Sequence, residues 1–456
     1  MKRFDIIVIG GGQSGYFAAI QAASLGAKVC LVEKKSLGGT FLNSGLFVLR
    51  KFLQALGFYP FPSGHNFVSN EVQLDVQKVF EGAIALRQSY TEKWKTNLIE
   101  KGVHFQQGEG SFAGSKKIEI KSSHQTDLIS AEKVILAVGS KPMHPDSIPF
   151  DEELIVSLDS LGEFRKLPKN VLIVDGGTHG VETASLLKVL GCKPFLCEQN
   201  TRMLEDEGAE IMEFYEEQVR KKRLKIILNK KILSLYKRDS GIDISLDGGI
   251  KFPISKIFFG GIRKPSSNTL NINTSNIRLG RNGEIFSDEK METSLPGVFA
   301  VGSSTRNRRL ANRNYEEAKV AVYNCLGKSR SLKLDKIPSI IYSDPQFATL
   351  GCNSENAHYK GYRAIGGSAT IKGPNESGMI TQKGLLRLTI DKETKKIIGV
   401  QVISQNASEI MSMMHLAFKK GLTLKDLSNI SFGEGDLAEP IINASRKILK
   451  NLKTTC

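Results

Sequence analysis

Two glycine-rich turns carry the chemistry most plainly written in this sequence. Gly10-Gly11-Gly12-Gln13-Ser14-Gly15 follows the apolar run Asp5-Ile6-Ile7-Val8-Ile9, opens a helical stretch to Leu25, and is followed by a second run, Lys28 to Val32, that ends in Glu33. The glycines let a backbone approach a pyrophosphate at the positive end of a helix, and an acid about 20 residues on can accept from a ribose hydroxyl. The pattern recurs: Val171-Leu172-Ile173-Val174 leads into Asp175-Gly176-Gly177-Thr178-His179-Gly180, a helix to about Leu190, and a strand ending in Glu198. Each acid stands 18 positions after the last glycine of its turn. One such fingerprint is weak evidence; two at equal spacing predict a duplicated nucleotide-binding unit. The second copy departs at Asp175, where the first glycine belongs.

The elements that must position these turns can be read coarsely. Residues near 80 to 101 form a long helix, Val134 to Ser140 an apolar strand running into a turn, and an amphipathic helix begins near Ala209. From about 336 the pattern changes to strands at Leu385–Ile390 and Ile398–Ile403 with helices at Ala407–Lys420 and Leu437–Leu452, an α+β arrangement. A length of 456 residues exceeds one core, so two to four domains are expected.

Composition narrows the class. With 40% hydrophobic and 24% charged residues, no stretch reaches the roughly 18 apolar residues of a membrane span. The opening MKRFDIIVIGGG has too short an apolar run for a signal peptide and reads as a strand, so a cytoplasmic protein is expected. The formal charge of +16 is spread along the chain, without the aromatic clustering of a nucleic-acid surface, and the run Arg220–Arg223 reads as a solvated helix end. Six cysteines show neither CxxC nor metal-ligand spacing; Cys30, Cys192 and Cys197 lie in or beside apolar runs and read as buried thiols.

With both turns in this order, the chain resembles the class I pyridine nucleotide-disulfide oxidoreductase family, which contains dihydrolipoamide dehydrogenase, glutathione reductase and soluble pyridine nucleotide transhydrogenase. The resemblance also rests on Leu37-Gly38-Gly39-Thr40, Ala137 to Pro142, Thr293 to Gly302, and Ile398-Gly399-Val400 through Gly421-Leu422-Thr423. The stretch from Pro142-Met143-His144-Pro145 to Asp159-Ser160-Leu161 looks most like the transhydrogenase branch. The resemblance implies an α/β fold of two Rossmann-like domains plus an α+β dimerisation domain, divided as 1–147 and 269–335 for the FAD-binding domain, 148–268 for the NAD(P)-binding domain and 336–456 for the dimerisation domain. It further implies FAD on the first turn, NAD(P)H on the second, and a homodimer.

Residue by residue, the resemblance places Gly10, Gly12, Gly15, Glu33, Gly39, Thr40, Gly139, Gly302 and Ser303 on FAD, and Gly177, Gly180, Glu182 and Glu198 on the nicotinamide nucleotide. Glu198 would favour NAD over NADP, whereas Arg202 reads as a surface arginine. Several positions depart from the family. Phe41 and Leu46 occupy the two redox-cysteine positions, Arg50 the lysine position and Glu434 that of the catalytic histidine, while the acid beyond it is kept as Glu439. Neither Phe41 nor Leu46 can be a thiolate, so dithiol transfer by that route is excluded. Ser303 replaces a ribitol-gripping aspartate, a change worth about 1.5–3 kcal/mol of FAD binding. A carboxylate at Asp175, about 5 Å from a pyrophosphate charge, would repel it by roughly 3 kcal/mol at an effective dielectric of 20 and strain the turn.

The leading expectation is therefore a flavin-dependent oxidoreductase passing hydride from NAD(P)H to a second nicotinamide, a quinone or another small-molecule acceptor, without a disulfide. The alternative is a catalytically impaired paralogue of dihydrolipoamide dehydrogenase acting as a structural or regulatory partner. No metal, nucleic-acid or membrane-span role is expected.

Overall fold

A computed structural model describes the chain except residues 57–73, 115, 146–147, 149, 152, 165, 206, 261–262, 273–274, 306–310, 373–382, 434–435 and 455–456. Its first sheet is built on the Lys2–Ile9 strand, whose C-terminal half is fully apolar because it is covered on both faces. Val29–Glu33 pairs parallel to one side (Ile6 opposite Val29) and Thr126–Leu136 to the other (Ile9 opposite Leu136). His104–Gln107 and Val298–Ala300 extend the parallel part, and Glu109–Phe112 with Lys117–Lys121 add an antiparallel edge. The Gln13–Ser24 helix lies on this sheet beside Ala311–Cys325, and its buried Ala18, Ala19 and Ala22 allow close approach.

The second sheet repeats the plan. Its five parallel strands run Lys225–Ile227, Lys193–Cys197, Asn170–Val174, Lys256–Phe259 and Ile155–Ser157, with the Thr178–Val189 helix following the second turn. An antiparallel trio, Ile232–Arg238, Gly241–Leu246 and Lys251–Ile254, is appended. A two-stranded ribbon, Ser140–Pro142 against Arg263–Pro265, ties the regions together.

The C-terminal third is an antiparallel sheet in the order Ser339–Ile341, Gln346–Gly351, Ile397–Ser404, Lys383–Asp391, Ala364–Lys372, carrying the helices Ala407–Lys420, Leu424–Ser428 and Glu439–Thr454. The fold class is thus the expected α/β one with an α+β C-terminal domain. Two expected elements shift. The apolar strand predicted to reach Ser140 ends at Leu136, because its partner Ile9 ends there and the Ala137 N–H makes the last bond, to Ile9 O at 2.8 Å. The last helix begins at Glu439 rather than Leu437, after a turn in which Asp436 Oδ1 accepts from Ala438 N. The long helix spans Val76–Glu100, with Asp75 capping its first turn through Lys78 N at 3.2 Å. Among the described residues no helix is long and apolar enough to cross a membrane.

Candidate functional site

The first glycine turn is shaped by contacts only glycine permits. Gly10 has φ +109°, and a Cβ there would overlap the Ala137 carbonyl; a Cβ on Gly15 would overlap the Gly10 carbonyl, so helix and strand can close on each other only without side chains. Glu33 at the neighbouring strand end is held on both oxygens, by Gly11 N at 2.6 Å and Lys35 N at 2.7 Å. The loop carrying Gly38 and Gly39 docks on the turn, with Gly38 N donating to Gly11 O at 2.9 Å.

These pieces enclose a cleft of about 420 Å³, a size typical of cofactor sites. Gly10, Gly12, Glu33, Gly39, Thr40, Gly139, Gly302 and Ser303 all line it. Gly15 does not; it sits behind the cleft as the close-packing glycine. Gly302 is fixed in the left-handed region (φ +75°), its N–H donating to the buried Glu317 at 2.7 Å, and this presents Ser303 toward Gly139. The cleft has a helix N-terminus, glycine backbone and a terminal acid in the arrangement an adenine dinucleotide requires, so these residues fit FAD. Ser303→Asp, which restores a charge beside Gly302, should tighten FAD binding by about tenfold to a hundredfold; flavin released during dialysis of the two proteins measures it.

A second cavity of about 170 Å³ continues the first, sharing Thr40, Phe41 and Ser303 and adding Leu46, Phe47, Arg50, His179, Glu182 and Tyr342. At the two positions where the resemblance would put cysteines, Phe41 lies against Phe47 with centroids 4.0 Å apart and rings tilted by 30°, and parallel to Trp94 at 6.4 Å, and Leu46 is buried at the start of the Leu46–Ala55 helix. Trp94 in turn stacks on Tyr16 at 4.0 Å. Arg50 is buried, paired with Glu182 at 3.3 Å and stacked over Tyr342 at 3.8 Å. Glu182 also accepts from Tyr342 N at 2.8 Å, so this acid sits in the cavity wall, apart from Gly177, Gly180 and Glu198, which stay at the second turn and line neither cavity.

At that turn Glu198 repeats the role of Glu33, accepting from Gly176 N at 2.7 Å and Asn200 N at 2.9 Å. Asp175 does not adopt the left-handed φ of Gly10 (+109°), so the expected strain of that kind is absent, and the helix still closes on the strand as in the first turn: a Cβ on Gly180 would overlap the Asp175 carbonyl, as one on Gly15 would overlap Gly10. Burial pushes the Asp175 carboxyl above the usual carboxylate range. Glu434 lies outside the described residues.

Sequence reasoning missed a clamp. Arg263 binds Asp159 through two nitrogens at 2.6 and 2.9 Å and donates to Ser140 O at 2.7 Å and Thr40 Oγ1 at 3.2 Å, joining the ribbon to the rim of the cleft. The available signal was the Ser140-Lys141-Pro142 segment, already noted for the resemblance, which pairs with the strand bearing Arg263. The described cysteines Cys30, Cys192, Cys197, Cys325 and Cys352 are all buried and free, and burial pushes the Cys30, Cys192 and Cys197 thiols up to about 12. None lines either cavity.

Two nucleotide folds with a glycine-lined cleft between strand ends define a flavin- and nicotinamide-using oxidoreductase scaffold. The chain belongs to the pyridine nucleotide-disulphide oxidoreductase family: residues 4–324 match that family and residues 337–441 its dimerisation domain. Its cofactors are accordingly FAD and NAD(P)H, and it is an FAD-dependent pyridine nucleotide oxidoreductase in the general sense. Dihydrolipoyl dehydrogenase of Thermus scotoductus is 28% identical over 99% of this chain and 98% of its own length, and leghemoglobin reductase of Glycine max 24% identical over 97% and 87%. Among solved structures, the flavoprotein disulfide reductase RclA of Escherichia coli, in its Cu(II) complex, superposes with a TM-score of 0.85 at 18% identity, covering 98% of this chain and 100% of that one. LpdA of Mycobacterium tuberculosis superposes with a TM-score of 0.85 at 20% identity over the same shares.

Proposed function

We propose that the chain passes hydride equivalents from NAD(P)H through FAD directly to a second nicotinamide or another small-molecule acceptor, with no disulfide between. The observation carrying this reading is that Phe41 and Leu46 stand at the two cysteine positions in the wall of the inner cavity, where no described residue offers a thiol. FAD, when bound, supplies two-electron uptake and release without a protein thiol.

The proposed cofactor residues follow the geometry. Glu33 would hold ribose hydroxyls, and Gly10, Gly12, Gly39, Thr40, Gly139, Gly302 and Ser303 would admit the rest of FAD, with Gly15 closing the turn behind. Gly177, Gly180 and Glu198 would take the nicotinamide dinucleotide, with Glu182 beside its reacting end. Arg50, whose buried Nε has no hydrogen-bond partner, would hold the Glu182 carboxylate in place at the inner end of the cleft. We place the four segments 1–147, 148–268, 269–335 and 336–456 in the FAD, NAD(P), FAD and dimerisation domains. A homodimer is supported by exposed Met413, Leu416, Ile430 and Phe432 in the last segment, and a reducing, cytoplasmic setting by the buried free thiols.

Anaerobic titration tests the reading. NADH or NADPH should bleach the flavin absorbance of the purified protein, and an added quinone or second nicotinamide should restore it, while oxidised lipoamide is not turned over. A colourless protein sinks the proposal. A second reading, a regulatory or structural partner, is favoured by the carboxylate of Asp175 within the second turn; bound flavin that neither nucleotide reduces would support it.

A further inference from the structure

In both glycine turns the last glycine packs on the carbonyl of the first position, yet the turns differ in what lies over the second glycine. Above Gly12, a Cβ would meet nothing nearer than Gly39 Cα at 3.8 Å; above Gly177 it would meet Asp175 Oδ1 at 2.9 Å. That oxygen accepts from Gly177 N at 2.8 Å, and Gly180 N also supports the carboxylate. The donors that a fingerprint turn aims at a ligand phosphate, at the N-terminus of the Thr178–Val189 helix, are therefore used by a carboxylate of the chain itself. Position 10 in the first copy has φ +109° and no side chain, so nothing comparable can form there.

We propose that Asp175 is a tethered anion seated in the pyrophosphate position of the second turn, and that a nicotinamide dinucleotide binds only by displacing or neutralising it. The inference rests on the reading of this turn as the nicotinamide site. It makes Asp175 a selectivity residue: a ligand with a charged diphosphate competes with it, whereas a nucleoside carrying no phosphate does not.

Neutralising the carboxyl removes one negative charge from the seat, so binding is accompanied by proton uptake and strengthens as pH falls. The charged groups facing Asp175 are His179 on the following helix and Glu198 at the adjoining strand end; on its other side lie Gly260 and Leu158, which are uncharged.

The test is calorimetric titration of the FAD-loaded protein with NADH and, separately, with adenosine, for wild type, Asp175→Gly and Asp175→Asn, between about pH 5.5 and 8. Asp175→Gly should bind NADH about a hundredfold more tightly at pH 8, with adenosine unchanged. Wild-type affinity should rise toward low pH by up to about tenfold per pH unit, and the glycine variant should lose that slope although His179 is still present. Equal NADH affinity in wild type and Asp175→Gly overturns the proposal. So does an equal gain for adenosine, which would mean a loosened turn rather than an emptied seat. If the glycine variant does not fold, Asp175→Asn must still gain at least about tenfold.

Flavin absorbance recorded at saturating NADH separates this from the activity. Flavin that stays oxidised despite a gain in affinity overturns hydride transfer and leaves the seat standing. Bleaching with unchanged affinity does the reverse.

Discussion

Gly15→Ala should yield a colourless protein. The single added carbon would overlap the Gly10 carbonyl, and the Gln13–Ser24 helix would have to retreat from the Lys2–Ile9 strand that orients the whole turn. Overpacking a tight core costs about 1–3 kcal/mol, and here the obstacle is backbone, which cannot swing aside. The upper end of that range is more than a hundredfold in FAD affinity. Gly433→Ala is the control, since nothing lies within 4 Å of the carbon it would add and its φ is not left-handed. Flavin-to-protein absorbance after gel filtration measures the outcome, and a Gly15→Ala protein retaining a full complement of flavin would show that this turn does not hold the cofactor.

The second large effect falls on stability. Arg50→Met leaves Glu182 buried without its ion-pair partner and strips the guanidinium from the Tyr342 ring. Breaking a buried pair from one side costs about 3–5 kcal/mol, whereas removing both charges together is often nearly neutral. Urea unfolding should therefore shift strongly for Arg50→Met and recover most of the loss in the double variant Arg50→Met, Glu182→Gln. Arg50→Lys should fall between, keeping the charge and losing the planar stack. A single variant within about 1 kcal/mol of wild type would mean that water already screens the pair.

Why some of this was legible beforehand follows from how far apart the partners lie. Each turn with its acid is a short-range device: strand, glycines and helix are contiguous, and Glu33 and Glu198 return to the turn through Gly11 and Gly176. The spacing of residue types therefore exposed both folds, and even the odd residue at Asp175. What escaped was held by distant partners. Arg263 meets Asp159 from 104 positions away and Ser140 from 123, and Arg50 meets Glu182 from 132. No periodicity marks such pairs, because they depend on how the sheets are brought together. Reading Asp175 as a repelling charge was a statement about the ligand. Seeing its oxygen bonded to Gly177 needed the conformation of the side chain itself.

The ring stack beside the inner cavity has an optical consequence. Trp94 is the single tryptophan of the chain, buried against Tyr16 and parallel to Phe41, which lines both cavities. Indole emission from this protein thus arises at one place, separated by the Phe41 ring from the cleft where the coloured cofactor would lie. An absorbing ring seated there drains that emission by energy transfer, so the fluorescence of the unlabelled chain is a built-in gauge of how full the cleft is.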